Sequence, residues 1–359
     1  MINEKRYTVI DLFAGCGGLS LGLYQSGWDG LFAIEKNSFA FATLKANLID
    51  NKKHFNWPDW LPQTPHDINE VLKKYTPQLK SLRGTVDLVA GGPPCQGFSM
   101  AGKRVEEDIR NNLVFSYIKF IKLVRPKIIL FENVKGFTYA FDKKKNEDAI
   151  PYSQKVIESL KRLGYNVKPH IIDFSKYGVP QRRNRFILVG VQKTIGSPDL
   201  FETLLESVKD VFLQSKGISS RTTLKDAISD LLQSNGEIPT PDRKGFKSGL
   251  YGRVESNYQI LLRGTYPEEQ HVPDSHSFAK HTIEKIECFR NLLANYSIRG
   301  KRIDGDARIK WNIKQRSITI LDENSISPTI TGHPDDYLHY CEPRIMTVRE
   351  CARIQSFPD

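Results

Sequence analysis

The chain has no apolar run long enough to cross a bilayer as a helix. Its first residues, Met1-Ile2-Asn3-Glu4-Lys5-Arg6, do not open a secretory signal. Cysteine is scarce. Cys16, Cys95, Cys288, Cys341 and Cys351 are five in number, scattered, and never at metal-ligand spacing. That pattern argues against a disulfide framework and against a zinc or other metal site, and it suits a reducing cytoplasm. No internal repeat and no long low-complexity tract is present. Acidic residues are in deficit: 52 Lys and Arg stand against 41 Asp and Glu, a formal net charge of +11. Such a balance suits a polyanionic partner, although basic proteins without one are common.

What is present is a rhythm. Short apolar runs at Val9-Ile10-Asp11-Leu12-Phe13, Leu31-Phe32-Ala33-Ile34, Val86-Asp87-Leu88-Val89-Ala90, Ile128-Ile129-Leu130-Phe131 and Phe186-Ile187-Leu188-Val189 read as strands. Helix-like stretches separate them, among them Leu19 to Ser26 and Leu113 to Val124. This alternation predicts an α/β fold with a doubly wound, mostly parallel sheet. The rhythm weakens after about Gly190. Residues 241–320 hold 15 Lys and Arg against 9 Asp and Glu, so a second, smaller, irregular and basic domain is expected.

Asp11-Leu12-Phe13-Ala14-Gly15-Cys16-Gly17-Gly18-Leu19-Ser20 is a strand entering a glycine-rich turn and then a helix. Glycines there let a ligand approach the backbone at a topological switch point. A dinucleotide fingerprint needs glycine where Ser20 stands, so the turn fits a nucleoside cofactor without a pyrophosphate better than NAD or FAD. Glu35, with Lys36 beside it, ends the second strand at the spacing of a ribose-binding acid. Asp67 would end a third strand and accept from an adenine amino group, with Ile68 packing on the ring. A helix cap or turn is the plainer reading of either acid. Ribose and adenine ligands without a phosphate cradle point to S-adenosylmethionine. Separately, Gly91-Gly92-Pro93-Pro94-Cys95-Gln96-Gly97-Phe98-Ser99 puts a thiol at the carboxyl end of a buried strand, behind two glycines and two prolines that fix the backbone. By itself that thiol is either a nucleophile or a buried structural cysteine.

These segments, together with Glu132-Asn133-Val134, Gln181-Arg182-Arg183-Asn184-Arg185 and Arg349-Glu350-Cys351-Ala352-Arg353-Ile354-Gln355-Ser356-Phe357-Pro358-Asp359, resemble the DNA cytosine-5 methyltransferases of prokaryotic restriction-modification systems. Order and approximate spacing match from residue 8 to the end, apart from the basic region where that family keeps its target-recognition domain. The resemblance implies a Rossmann-like methyltransferase fold, with residues 1–192 and 321–359 as catalytic domain and 193–320 as recognition domain. It implies methyl transfer from S-adenosylmethionine to carbon 5 of a flipped-out cytosine in duplex DNA. Cys95 would be the nucleophile, Glu132 the partner of the base, Arg185 their holder and Arg183 a support. Asp11, Phe13, Gly15, Cys16, Gly17, Gly18, Glu35, Lys36, Asp67, Ile68, Pro94 and Leu113 would surround the cofactor. Gln96, Ser99 and Arg110, in a glycine-flanked loop, would touch DNA.

One feature qualifies the match. The family pattern continues beyond the Arg349–Asp359 motif with an asparagine-bearing segment, and this chain ends at Asp359. A truncated form or one part of a split enzyme is therefore expected, with weaker cofactor binding by this chain alone and a C-terminal segment or subunit as partner. The alternatives are a DNA-binding member that turns over poorly and an RNA methyltransferase. The RNA branch carries Pro-Phe-Thr after Pro-Pro-Cys-Gln, whereas Gly97-Phe98-Ser99 follows here. The basic region offers Arg243, Lys244, Lys247, Arg253, Arg299, Lys301 and Arg302 for phosphates and bases, and a cognate restriction endonuclease is a further candidate partner.

Overall fold

The computed structural model describes residues 6–94, 112–139, 150–241, 243–264, 271–332 and 334–359. By packing the chain divides into two compact units, residues up to Ile172 with Asn184–Leu205, and Asp173–Arg183 with Glu206–Asp359.

The first unit is built on six strands: β1 (Thr8–Leu12), β2 (Asp29–Ile34), β3 (Leu88–Gly91), β4 (Ile128–Val134), β5 (Tyr165–Asp173) and β6 (Asn184–Gln192), in the order β2-β1-β3-β4-β6-β5. β1 pairs in parallel with β2 and β3, and β3 with β4. The sequence thus winds outward in both directions from β1, and the switch point lies between β1 and β3. β6 reverses the pattern and runs antiparallel to β4.

Helices α1 (Gly18–Gln25), α2 (Ser38–Leu44), α3 (Ile68–Lys74), α4 (Thr76–Ser81), α5 (Asn112–Val124) and α6 (Tyr152–Arg162) belong to this unit. In α5, Val114, Tyr117, Ile121 and Val124 recur at helical spacing and are wholly buried against Val89, Ile129 and Phe131 of the sheet. The Tyr117 hydroxyl donates to the carbonyl of Val89 at 3.2 Å. This stripe leaves the other side of α5 for the cavity described below. Gly17, at φ 90°, takes a left-handed turn, and a Cβ there would come within 2.7 Å of Leu48 Cδ1. Its need is close packing of α1 against the helical segment that follows α2.

The helix α7 (Leu200–Ser215) links the units in sequence. The second unit contains α8 (Leu224–Ile228), a hairpin of β7 (Glu237–Pro239) and β8 (Lys247–Gly249), and the helices α9 (Asn257–Arg263), α10 (Ile283–Ala294), α11 (Ala307–Lys310) and α12 (Val348–Ile354). Strands β9 (Arg302–Ile303), β10 (Ile318–Ile320) and β11 (Tyr337–Leu338) form its small sheet. α12 starts with a capping box of Thr347 and Glu350. Its Arg353 is fully buried and pairs with Asp230 at 3.2 Å and with Asp359. Motif order groups 321–359 with the catalytic domain. Packing instead seats these residues in the second unit, because their buried ion pairs reach back to α8 and its neighbours.

Candidate active site

A cavity of about 720 Å³ lies in the first unit at the carboxyl ends of β1, β2 and β3. This is the crevice where doubly wound sheets take ligands. Phe13 leaves β1 in a left-handed conformation, φ 59°. That geometry costs a non-glycine residue on the order of 1–2 kcal/mol, and it brings the ring to the cavity wall. Glu35 follows β2. Its Oε2 accepts the Gly15 N–H at 2.8 Å and its Oε1 the Asn37 N–H at 2.7 Å. One carboxylate therefore ties together the turns after β1 and β2. In a dinucleotide site the turn's N–H groups face a pyrophosphate. Here an acid that repels phosphate holds the Gly15 N–H.

Asp67 also lines the cavity, but it does not end a strand. Pro62 and Pro65 deny the preceding segment the ladder donors a strand needs. Asp67 is instead the N-cap of α3, with Oδ1 accepting the Asn69 N–H at 2.8 Å. Its Oδ2 takes Lys36 Nζ at 2.8 Å. Partial burial works to raise the Asp67 carboxyl, but the Lys36 ammonium and the Asn69 N–H outweigh it and hold it below the usual range. Across the cavity stand Leu113, Phe115, Ser116 and Lys119 of α5, and Ser116 Oγ donates to Asn69 Oδ1 at 2.6 Å. Ile34, Ile68 and Pro94 complete an apolar lining. Apolar walls and two carboxylates, one of which already takes the Gly15 N–H, fit a nucleoside that carries hydroxyls and lacks phosphates.

The second cluster lies on the same sheet edge. Gly92 follows β3, and a Cβ there would stand 2.6 Å from Glu132 Oε2. Glu132 lies near the carboxyl end of β4, with Oε1 2.9 Å from Arg185 Nε. Because β6 is antiparallel, Arg185 near its start sits opposite Val134 near the end of β4. Glu132 shares a face with Val134, so the ion pair is a diagonal cross-strand contact. Buried Asn133 donates from Nδ2 to the Pro93 carbonyl at 3.2 Å and fastens the Gly92-Pro93-Pro94 turn to β4. A carboxylate held by an arginine at a ligand-binding edge can hydrogen-bond, or exchange a proton with, a bound heterocycle.

Cys95, Gln96, Ser99 and Arg110 lie outside the described residues. Phe13, Glu35, Lys36, Asp67, Ile68, Pro94 and Leu113 come together around the cavity. Asp11 does not. It is buried within the sheet, bonded by Ser20 Oγ at 2.5 Å, and burial, only partly offset by Ser20, raises its carboxyl to about 7. Gly15 acts through its N–H, Gly17 through packing, Gly18 opens α1, and the Cys16 thiol is exposed. Arg183 belongs to the second unit, where Nη1 reaches Gln181 Oε1 at 3.4 Å. His66, Asn69, Phe115, Ser116 and Lys119 line the cavity without having been singled out in the sequence. The signal for the last three was their shared face on α5, opposite the apolar stripe.

The chain has close parallels among characterised proteins. It is 30% identical over 366 residues to the Type II methyltransferase M.DdeI of Desulfomicrobium norvegicum, covering 98% of this chain and 78% of that one. It is 32% identical over 418 residues to the Type II methyltransferase M.AgeI of Thalassovita gelatinovora, covering 98% and 91%. In fold it matches the crystal structure of an E. coli prophage-encoded protein described as a DNA modification methyltransferase, with a TM-score of 0.63, 23% identity, and 98% and 89% of the two chains covered. The family model for C-5 cytosine-specific DNA methylases spans residues 7–359, cavity, edge cluster and second unit alike. The chain belongs to that family.

Proposed function

We propose that this DNA cytosine-5 methyltransferase takes its methyl group from S-adenosylmethionine in the cavity and acts on a cytosine flipped out of a specific duplex sequence. The observation that carries the reading is Gly92. It makes room for the Arg185-held Glu132 carboxylate on one side, forms part of the cavity wall, and leads within three residues to Cys95.

Carbon 5 of cytosine is a poor nucleophile until carbon 6 gains a covalent bond. Cys95 forms that bond as a thiolate, and the ring's double-bond electrons move toward carbon 5 and nitrogen 3. Glu132, carrying a proton for this step, donates it to nitrogen 3 and so neutralises the charge that arrives there, and it takes the proton back when the adduct breaks down. Arg185 fixes the carboxylate for this task and is itself fixed by the β4–β6 register. Bound in the cavity, the cofactor supplies an electrophilic methyl group. Glu35 would accept from its ribose hydroxyls and Asp67 from its adenine amino group, with Phe13, Ile68, Pro94 and Leu113 around the ring. Loss of the carbon-5 proton then re-forms the ring double bond and expels the Cys95 thiolate. The target carbon is stacked inside duplex DNA, so base flipping precedes all of this. The Type II names of the relatives support a cognate endonuclease as partner, and action on DNA in the cytoplasm.

Duplex DNA carrying 5-fluorocytosine at the target blocks the final proton loss. With cofactor present, the reading expects a covalent complex stable to denaturant, lost in Cys95→Ser. No adduct, or one that survives Cys95→Ser, overturns it. Bisulfite sequencing of DNA from expressing cells identifies the target sequence.

A further inference from the structure

The second unit carries a short hairpin whose tip concentrates positive charge around one aromatic ring. β7 pairs antiparallel with β8, Ile238 opposite Ser248. The turn closes through Thr240 N–H to the Phe246 carbonyl at 2.9 Å and Phe246 N–H to the Arg243 carbonyl at 3.2 Å. The base of the hairpin is rigid. The Thr240 hydroxyl is buried and bonded to those of Ser248 and Ser277 at 3.0 and 3.3 Å. The segment His276–Phe278 lies alongside β8, with the Phe278 N–H on the Lys247 carbonyl at 2.9 Å. A Cβ at Gly249 would come within 2.6 Å of His276 Nε2, so the two segments are in close contact.

This alignment delivers Lys280, two residues past Phe278, to the hairpin tip. Its Nζ lies 4.8 Å from the centroid of Phe246, and the guanidinium of Arg243 lies over the same ring at 3.7 Å. Both cations are exposed, and among the described residues no carboxylate pairs with either. Three other basic residues of the region are engaged within the chain: Lys247 with Glu237, Arg302 with Asp304 at 3.1 Å, and Arg299 with the Leu293 carbonyl at 3.3 Å. Two like charges gathered on one ring repel unless an anion or an acceptor-rich surface completes the cluster. The Phe246 ring under its guanidinium restricts where the Arg243 fork can go, and a guanidinium over a ring face keeps N–H groups with which to donate.

We infer that the β7–β8 hairpin is a sequence-reading element for duplex DNA, with Arg243 donating to a base edge in the major groove and Lys280 contacting a phosphate. A two-stranded ribbon fits that groove, and the arginine fork matches the paired acceptors O6 and N7 of guanine. Phe246 is a positioning residue that acts through Arg243. The inference rests on the DNA-methylating reading above for its ligand.

The test begins with the duplex sequence that wild-type protein selects from a random pool, which requires no methyl transfer. Competition between that duplex and a scrambled one then gives the preference of each variant. R243A and R243K are both expected to lose at least about tenfold in preference, R243K while binding the scrambled duplex as wild type does, because lysine keeps the charge but not the fork. F246L moves in the same direction. K280A is expected to weaken both duplexes alike and to lower the slope of log affinity against log salt by about one. Preference within twofold of wild type in R243A, or restored by R243K, overturns the assignment. A wild type that selects a sequence but forms no Cys95 adduct defeats the proposed reaction and leaves the hairpin standing. One that methylates while R243A keeps its selectivity defeats the hairpin alone.

Discussion

Replacing Gly92 by alanine isolates the placement of Glu132 from the stability of the fold. The Gly92 backbone is not in the left-handed region, so an alanine meets no conformational strain of its own. Its Cβ would lie 2.6 Å from Glu132 Oε2, against 3.4 Å or more for an ordinary contact. The carboxylate must therefore retreat by about 0.8 Å, and it is the mobile end of a side chain, so the backbone stays in place. The 2.9 Å contact to Arg185 is lost or reshaped. Misplacement of a reacting group by about 1 Å costs on the order of a hundredfold in rate, about 3 kcal/mol. Gly92→Ala should then melt within a few degrees of wild type, since glycine-to-alanine changes stabilise through the unfolded chain by about 0.4–1 kcal/mol. The initial rate of labelled methyl transfer should fall about a hundredfold. Gly91→Ala is the contrast. Its Cβ would meet the Leu12 carbonyl oxygen at 2.6 Å, which is backbone of a neighbouring strand, so stability should fall by about 1–3 kcal/mol. The decisive measurement is the double-mutant cycle with Glu132→Ala, which removes the group the new methyl strikes. If Gly92→Ala costs as much rate in the Glu132→Ala background as in wild type, Gly92 does not act through Glu132 and the reasoning fails. So does a Gly92→Ala enzyme within threefold of wild-type rate.

Three other outcomes are expected. Asp11 titrates near 7 in the fold because of burial, and near 3.8 in its ordinary state, so the unfolded chain binds fewer protons and stability falls as pH rises between about 4 and 7. Urea titrations should show Asp11→Asn escaping this loss, which is up to about 4 kcal/mol, and an unchanged pH slope would refute it. Lys36→Met removes one of the two groups that hold Asp67 on the cavity wall, and calorimetry should show cofactor binding weakened about three- to tenfold with the single-turnover rate unchanged. Arg353→Met leaves Asp230 and Asp359 buried without their shared cation and should destabilise the second unit by about 3–5 kcal/mol in denaturant unfolding; a loss below 1 kcal/mol would show the pairs to be dispensable.

Much of the first unit is legible in the chain because its central strands are buried on both faces and read as continuous apolar runs. β5 escapes that reading. Tyr165–Asp173 lies at the sheet edge with most of its side chains half-buried or exposed, so its polar and apolar residues mix without a clear period. The second unit is harder for another reason. Arg353 and Asp230 are 123 positions apart, and nothing local in either segment announces the pair that binds them. Motif order therefore assigns the last residues to one body while their buried charges commit them to the other. Asp67 shows the same limit on a smaller scale. The expectation of a third strand ending at Asp67 leads to the cavity wall, but Pro62 and Pro65 make the residue a helix cap and not a strand end.

The proposed catalytic edge owes its legibility to topology. In a parallel sheet every strand delivers its following residue to one edge, so Phe13, Glu35 and Gly92 meet there although they are scattered over eighty positions of sequence. The same rule would carry a residue at the start of a parallel strand to the opposite edge, well away from Glu132. Arg185 is at the start of β6. It reaches Glu132 because β6 is antiparallel to β4, and the reversed strand presents its beginning where β1, β2, β3 and β4 present their ends. Strand direction leaves no trace in the apolar pattern of Phe186 to Val189, which would look the same in either sense. The reversal of β6 thus serves the proposed chemistry: it seats the last arginine of the Gln181–Arg185 motif beside a carboxylate from β4. An enzyme with β6 parallel would need that cation from the opposite end of the strand, where this chain has Gln192.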